Sequence, residues 1–246
     1  MAVGKGWEGV VLKLLRGKDF TFTVTGAEQV TPHYRRVSFT DGGLLAAAGG
    51  SLHPTMWVRL WFTDNGKPHQ RAYTLVDPDP AAGTFSLEFA LHDGVASDWA
   101  RTAEPGATID ATVQGTGFTA PAPAPDRLLV IGDPASLPAI NSLLDAHPQT
   151  PATIWFETQH EDDADLPVRL DADRHDIRRV PRSGGGAALV ERIRAELPGL
   201  APDPQTAYVW LACDTATTRT LTGYLRKELG LPKQRVNGLG YWRPAA

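Results

Sequence analysis

Between Ala120 and Pro125 every second residue is proline, and the hydrophobic pattern has a different period on either side of that stretch. Alternating prolines favour an extended, stiff connector, so the two sides are read as separate folding units, 1–124 and 125–246. From Phe20 to about Phe118 the period is two. Phe20 to Val24, Tyr34 to Phe39, Met56 to Phe62, Tyr73 to Val76, Phe85 to Leu91 and Thr108 to Val113 read as six short strands, with Asp64-Asn65-Gly66 as a hairpin turn. Such a run predicts a closed or nearly closed antiparallel β-barrel, a shape that removes exposed sheet edges. One helix is expected inside it, from an N-cap at Ser97 to Ala103, stopped by Glu104-Pro105-Gly106.

Beyond the prolines the grammar is that of an open α/β parallel sheet. Arg127 to Ile131 and Tyr208 to Ala212 are continuous apolar runs of the kind buried on both faces, with Thr153 to Glu157 and Ile177 to Val180 as further strands. Helical spacing follows over Ser136 to Leu144, over Ala187 to Leu197, where Pro198-Gly199 is expected to end it, and over about Thr217 to Leu229. The acidic run Glu161 to Asp165 lacks the glycine and terminal Glu of a calcium loop, and Gly184 to Gly186 lacks a Gly-Lys-Ser/Thr sequel, so both read as loops.

The totals exclude several classes of function. With 24 Lys+Arg against 28 Asp+Glu the formal charge is −4, which gives no global field for nucleic acid. Cys213 is the only cysteine, so an internal disulfide and a thiolate metal cluster are excluded. Met1 to Trp7 carries no apolar leader, and no apolar run is long enough to cross a bilayer; the chain is expected to be cytoplasmic, monomeric and without membrane insertion.

Six segments carry candidate chemistry. In Arg71-Ala72-Tyr73-Thr74 the arginine and tyrosine share strand parity, offering a phosphate fork beside an aromatic platform. A rim arginine paired with an acid and a tyrosine packed in the core would explain the same residues. His92 to Ala100 passes from strand to helix through Gly94, where free N–H groups can receive a pyrophosphate near Ser97. Gln114 to Phe118 adds a tight turn. In the second half Gly132-Asp133-Pro134-Ala135-Ser136 and Leu211 to Thr215 each follow a buried strand, the usual place for ligands on an open α/β sheet. The aromatic tail around Tyr241, Trp242 and Arg243 either covers a ligand or forms the last edge strand. No catalytic side chain and no metal-ligand set emerges.

Taken together, Arg71 to Thr74, His92 to Ala100, Gly132-Asp133 with Leu137 to Ile140, and Gly240 to Arg243 resemble the siderophore-interacting protein family. These are flavin-dependent ferric-siderophore reductases related to ferredoxin-NADP reductases. The resemblance implies a two-domain ferredoxin-reductase-like fold, with an N-terminal FAD-binding barrel and a C-terminal NAD(P)-binding-like unit. It places Arg71, Ala72, Tyr73 and Thr74 at the flavin and its phosphate side, and His92, Ala96, Ser97 and Trp99 in the next FAD segment. Asp133, Ala135 and Ser136 correspond to positions near the adenine, Cys213 and Asp214 to the pyridine-nucleotide corner, and Tyr241 and Trp242 to the reaction side.

The implied chemistry is electron transfer from NADH, NADPH or reduced ferredoxin through FAD to a ferric siderophore, whose iron leaves as Fe(II). Arg35, Arg36, Arg59, Lys233, Arg235 and Arg243 are the basic candidates for holding the anionic chelate. A general flavin reductase and a siderophore-binding protein of weak turnover are the competing readings. The chain departs from the family pattern at Leu75-Val76, where another arginine is usual, and at Cys213-Asp214, which replaces Gly-Glu.

Overall fold

The computed structural model describes residues 18–49, 51–201 and 203–244; the stretch Met1 to Trp7 lies outside them. The chain divides into two compact units between Phe118 and Thr119.

The first unit is one antiparallel sheet of seven strands. They are β1 (Lys18–Thr31), β2 (Tyr34–Thr40), β3 (Trp57–Asp64), β4 (Lys67–Thr74), β5 (Val76–Asp79), β6 (Thr84–Ala90) and β7 (Thr108–Val113), in the order β4-β3-β7-β1-β2-β6-β5. β4 and β5 lie at opposite edges, yet only Leu75 separates them in the chain. One residue reaches less than 4 Å, so the sheet must roll until its edges meet. The expected barrel is present but its ladder stays open: no backbone pairing joins β4 to β5 among the described residues. Phe22, Val37, Phe39, Leu60, Leu87 and Phe89 fill its interior.

Two expectations fail here for identifiable reasons. The strand read over Tyr73 to Val76 is the break between β4 and β5. β4 itself is missed because Lys67-Pro-His-Gln70 has no apolar face, which an edge strand does not need. The Asn65-Gly66 turn forms as read, with both residues at positive φ as a two-residue hairpin turn requires. A short helix α1 (Leu44–Ala48) was not foreseen, and α2 (Val95–Thr102) caps the barrel.

The second unit is a parallel sheet of five strands with helices between them. β8 (Arg127–Gly132), β9 (Ala152–Thr158), β10 (His175–Pro181), β11 (Ala207–Asp214) and β12 (Val236–Trp242) pair in the order β10-β9-β8-β11-β12. The helices are α3 (Leu137–Ala146), α4 (Ala187–Leu200) and α5 (Thr215–Gly223), the last continuing as a π-turn over Tyr224–Glu228. Leu128 to Ile131 and Val209 to Cys213 are fully buried, which explains why those runs are apolar without alternation. The aromatic tail is the edge strand β12, paired with β11.

Pro198-Gly199 does not end α4; Pro198 sits inside it. Proline removes the donor that would bond the carbonyl four residues back. That carbonyl, of Arg194, instead accepts from the Tyr224 hydroxyl at 3.3 Å. In the acidic run Asp163 is buried, its carboxylate accepting from the backbone N–H of Gln159 and His160.

The chain runs from β8 outward to β10, then crosses to β11 and β12. The switch point is therefore the crevice between the carboxyl ends of β8 and β11, where ligands of open α/β sheets bind. Gly132 ends β8 there because a Cβ would lie 2.3 Å from Ser136 Oγ and 2.7 Å from Ile140 Cδ1.

Candidate functional site

In the barrel unit, register decides which side chains of β4 face inward. Tyr73 stands opposite Val58 and Arg71 opposite Leu60, so both share the face of buried β3 residues. Tyr73 packs on Phe89 (ring centroids 4.4 Å apart) and edge-on to Phe62 at 6.4 Å. Burial pushes its phenol well above the ordinary range, with Arg71 pulling the other way. Trp99 of α2 lies 6.0 Å from each of those two rings and stacks parallel to Phe39. The two segments singled out from sequence thus share one aromatic floor.

Arg71 is exposed, and its guanidinium donates only to the carbonyl of its neighbour Gln70, at 2.7 Å. No acid pairs with it among the described residues, which removes the rim-ion-pair explanation. Ala72 is exposed and Thr74 buried, both on the other face of β4.

The helix start differs from expectation. Gly94, at φ 136°, is the N-cap of α2 and supplies no side-chain cap. Ser97 lies inside the helix, buried with Ala96, and its Oγ accepts from the backbone N–H of His92 at 3.1 Å. The His92 ring is exposed, with Nδ1 2.6 Å from the carbonyl of Asp93. The first N–H groups of α2 are therefore left without a side-chain acceptor, and an unpaired arginine belongs to the same unit. Both are donors to an anion. The turn at Gly115 is tight (φ 69°), and Thr116 Oγ1 accepts from Trp57 N.

The switch-point crevice of the C-terminal unit has the opposite character. Asp133 is fully buried; its carboxylate accepts from Ser136 N at 3.2 Å and from the Trp242 indole at 2.7 Å, while Ser136 Oγ accepts from Asp133 N. Asp214 is buried at the end of β11 and caps α5, accepting from Ala216 N, Thr217 N and the Thr217 hydroxyl. Between them Arg182 donates to Glu157 and, at 3.1 Å, to Asp214, with its guanidinium 4.9 Å from the Trp242 ring. Ala135 is exposed, and Tyr241 and Trp242 are half-buried.

Burial raises Asp133 to about 7, against the opposing bond from Trp242 and with the neighbouring Glu157 adding to the rise. Burial also raises Glu157, beyond what Arg182 offsets. For Asp214 burial acts upward too, but the bonds from Thr217 and Arg182 outweigh it and hold the group low. Burial and the surrounding acids push the Cys213 thiol far up, so it is a packed hydrophobe rather than a thiolate.

A pH dependence follows. Between pH 4 and about 7 the folded unit holds a proton on Asp133 that the unfolded chain releases, so stability falls as pH rises through that window and levels above it. A displacement from 3.8 to about 7 corresponds to at most about 4 kcal/mol. Glu157 acts with the same sign; Asp214 acts with the opposite sign, below the ordinary carboxylate range. Urea unfolding at pH 5, 6, 7 and 8 is expected to show the decline, and Asp133→Asn to remove most of the slope. An unchanged slope in that variant would take Asp133 out of the account.

Glu157 and Arg182 were missed by sequence reading, although a glutamate ending the apolar run Thr153 to Phe156 is a visible anomaly. Of the basic candidates, Arg235 is buried at 1% exposure, so it is corrected from a surface chelate contact to an interior residue. Arg36 pairs with Asp77 and Glu88, Arg35 with Gln29, and Arg59 lies over the Trp57 ring. Lys233 and Arg243 are exposed.

Comparison with known proteins matches residues 51–113 to the siderophore-interacting FAD-binding domain and residues 125–245 to the siderophore-interacting protein model. The chain belongs to the siderophore-interacting protein family. Among relatives of this family member, the mycobactin import ATP-binding/permease protein IrtA of Mycolicibacterium thermoresistibile is 35% identical over 98% of the chain. The chain spans about a quarter of that protein's length (26%). The ferric acinetobactin reductase of Acinetobacter baumannii is 23% identical, over 78% of this chain and 70% of that one.

Among solved structures, the siderophore-interacting protein of Acinetobacter baumannii matches with a TM-score of 0.77 at 21% identity, over 93% of this chain and 92% of that one. A ferredoxin NADP+ reductase from Neisseria gonorrhoeae with bound FAD and NADP matches at 0.68 and 16% identity, over 92% and 99%. The fold is thus ferredoxin-reductase-like. Among the described residues, no helix is long and apolar enough to cross a membrane.

Proposed function

We propose that this chain is an FAD-dependent ferric-siderophore reductase, its barrel unit holding FAD and its electrons coming from NAD(P)H or a reduced ferredoxin. One observation carries the reading. Within the unit that matches the siderophore-interacting FAD-binding domain, the unpaired Arg71 and the uncapped start of α2 are two uncommitted anion donors beside one aromatic floor. That donor set fits the pyrophosphate of FAD.

In this reading Arg71 grips phosphate through its planar fork and the backbone N–H groups after Gly94 receive the rest of the charge. Tyr73, fixed by Phe62 and Phe89, gives the ring its platform, while Ala72 and Thr74 lie on the other face of β4. Ala96 and Trp99 hold α2 against the barrel, and Ser97 fixes the His92 loop that leads into it. When bound, FAD supplies electron transfer; the protein supplies binding, orientation and electrostatics.

The substrate is an Fe(III) chelate, and one electron converts it to Fe(II), which hard oxygen donors hold less tightly. The name of the Acinetobacter reductase supports that substrate class. Lys233 and Arg243 are the exposed cations assigned to the chelate's negative charge.

The purified protein is expected to be yellow and to release FAD on denaturation. Under anaerobic conditions its flavin absorbance should bleach with NADH, NADPH or reduced ferredoxin and return on adding ferric siderophore, with an Fe(II) trap recording the product. Flavin that stays oxidised with every donor rejects the reductase; reoxidation by free flavin but by no ferric chelate makes the chain a general flavin reductase.

A further inference from the structure

We propose that the barrel unit carries a second binding site, separate from the phosphate grip, for an organic ammonium ion with an apolar or aromatic body. The site is a break in the barrel wall. β3 pairs with β4 along its whole length and β7 pairs with β1 along its whole length, but β3 and β7 pair with each other only at Arg59–Thr112 and Leu60–Ala111. The same register would go on to set Trp61 against Asp110 and Thr63 against Thr108. Neither pair forms, and a cavity of about 640 Å³ opens between the strands, with α2 as its further wall. That volume is of the order of small-molecule sites.

Strand alternation decides what lines the break. Phe62 belongs to the barrel core, and Trp61, one residue earlier, takes the other face of β3. Both reach the cavity because the wall is missing there. Trp99 of α2 joins them, edge-on to Phe62 with ring centroids 6.0 Å apart. The Trp61 ring is held in place: its indole N–H donates to Thr112 Oγ1 at 2.9 Å, and that hydroxyl donates to Asp19 at 2.7 Å. Three aromatic walls are thus fixed before any occupant arrives, which lowers the cost of binding.

The polar lining consists of acids and hydroxyls, and no cation lines the cavity. Asp110 is half-buried, accepts from the Thr21 hydroxyl at 2.8 Å and has no ion-pair partner among the described residues. Asp98 is exposed and shares its charge with Arg101 on the same helix. A carboxylate without a counter-charge, beside ring faces whose quadrupole also attracts positive charge, selects a cation. Carboxylates and the hydroxyls of Thr63 and Thr108 accept N–H groups, so a protonated amine suits the polar side while the rings take its hydrocarbon. The same charges disfavour a pyrophosphate or an anionic iron chelate, and neither Arg71 nor Gly94 lines the cavity. Phe62 and Trp99 are shared with the aromatic floor under Tyr73, so the two sites adjoin through those rings.

Calorimetric titration of the full chain with phenethylammonium, with and without FAD, tests the proposal. Saturable binding with a Kd below about 1 mM is expected in both forms, at least about tenfold tighter than for phenethyl alcohol, which keeps the shape without the charge. Hydrocinnamate, which carries the opposite charge, should not bind. Asp110→Asn keeps an acceptor for Thr21 and should weaken the amine roughly tenfold or more while leaving the alcohol unchanged. Should that variant fail to fold by circular dichroism, the exposed Asp98→Asn decides, with a loss of about threefold expected and no loss overturning the site.

No saturation by about 10 mM, equal affinity for amine and alcohol, or unchanged affinity in folded Asp110→Asn overturns the proposal. Amine binding that FAD abolishes would give the cavity to the flavin and overturn it as a separate site. A chain that takes no FAD rejects the reductase reading instead, and the titration without FAD still decides this one.

Discussion

Arg182→Ala is expected to lower the stability of the C-terminal unit by about 3–5 kcal/mol, the range for removing one partner of a buried ion pair. Glu157 and Asp214 are essentially inaccessible, and Arg182 is their shared cation. Glu157 is already in deficit: its Oε1 has no hydrogen-bond partner, and burial raises its pKa even with the guanidinium in place. Without Arg182 Glu157 rises further and Asp214 loses one of the bonds that hold it low, and protonation limits the loss.

The sign of the pH dependence follows from that rise. Groups whose folded pKa lies above the unfolded one cost stability as pH increases, so the variant's deficit should be larger at pH 8 than at pH 5. Arg182→Lys should recover part of it, because an ammonium restores the charge but not a planar fork spanning two carboxylates. Urea unfolding followed by tryptophan fluorescence at the two pH values measures both effects. A deficit below about 1 kcal/mol that does not change with pH would place Arg182 among ordinary surface pairs.

What the sequence made legible depended on whether a residue's role is local. The parallel strands were readable because burial on both faces leaves an unbroken apolar run, as in Leu128 to Ile131. β4 was not, since an edge strand with one covered face tolerates Lys67-Pro-His-Gln70. Pro198 carries a local rule that ends helices, and a contact from Tyr224, 26 residues away in the chain, overrode it by taking up the orphaned carbonyl. Ser97 looked like an N-cap by type and position, but the preceding loop claimed its hydroxyl and Gly94 took the cap.

The same distinction runs through the candidate site. Arg71 and Tyr73 were found because their shared parity on one strand is a property of two positions spaced two apart. Asp133 and Asp214 were found because strand ends can be located. What those acids do was hidden: Arg182 and Glu157 come from elsewhere in the sheet, and only the fold shows that Arg182 bridges Glu157 and Asp214 while the Trp242 indole bonds Asp133. The reading of that corner as a ligand position therefore came from strand ends alone, without the partners that fill it.

Arg71→Ala tests the barrel unit, where the charge is uncommitted. Its guanidinium has no acid partner among the described residues and is exposed, so folding stability should change by less than about 0.5 kcal/mol. FAD affinity should fall far more. Each hydrogen bond to a charged group contributes roughly 1.5–3 kcal/mol, which corresponds to a Kd weakened roughly 10- to 100-fold. The uncapped N–H groups of α2 remain in the variant, so binding should weaken rather than vanish.

Arg71→Lys should fall between, since charge returns without two parallel donors. Titrating FAD into the apo chain and following quenching of flavin fluorescence measures all three proteins on one scale. The contrast between unchanged unfolding and weakened FAD binding separates a phosphate grip from a structural arginine. Equal FAD affinity in Arg71→Ala and the parent chain would leave only the start of α2 to hold the phosphates, and the donor pair on which the flavin site rests would be reduced to one.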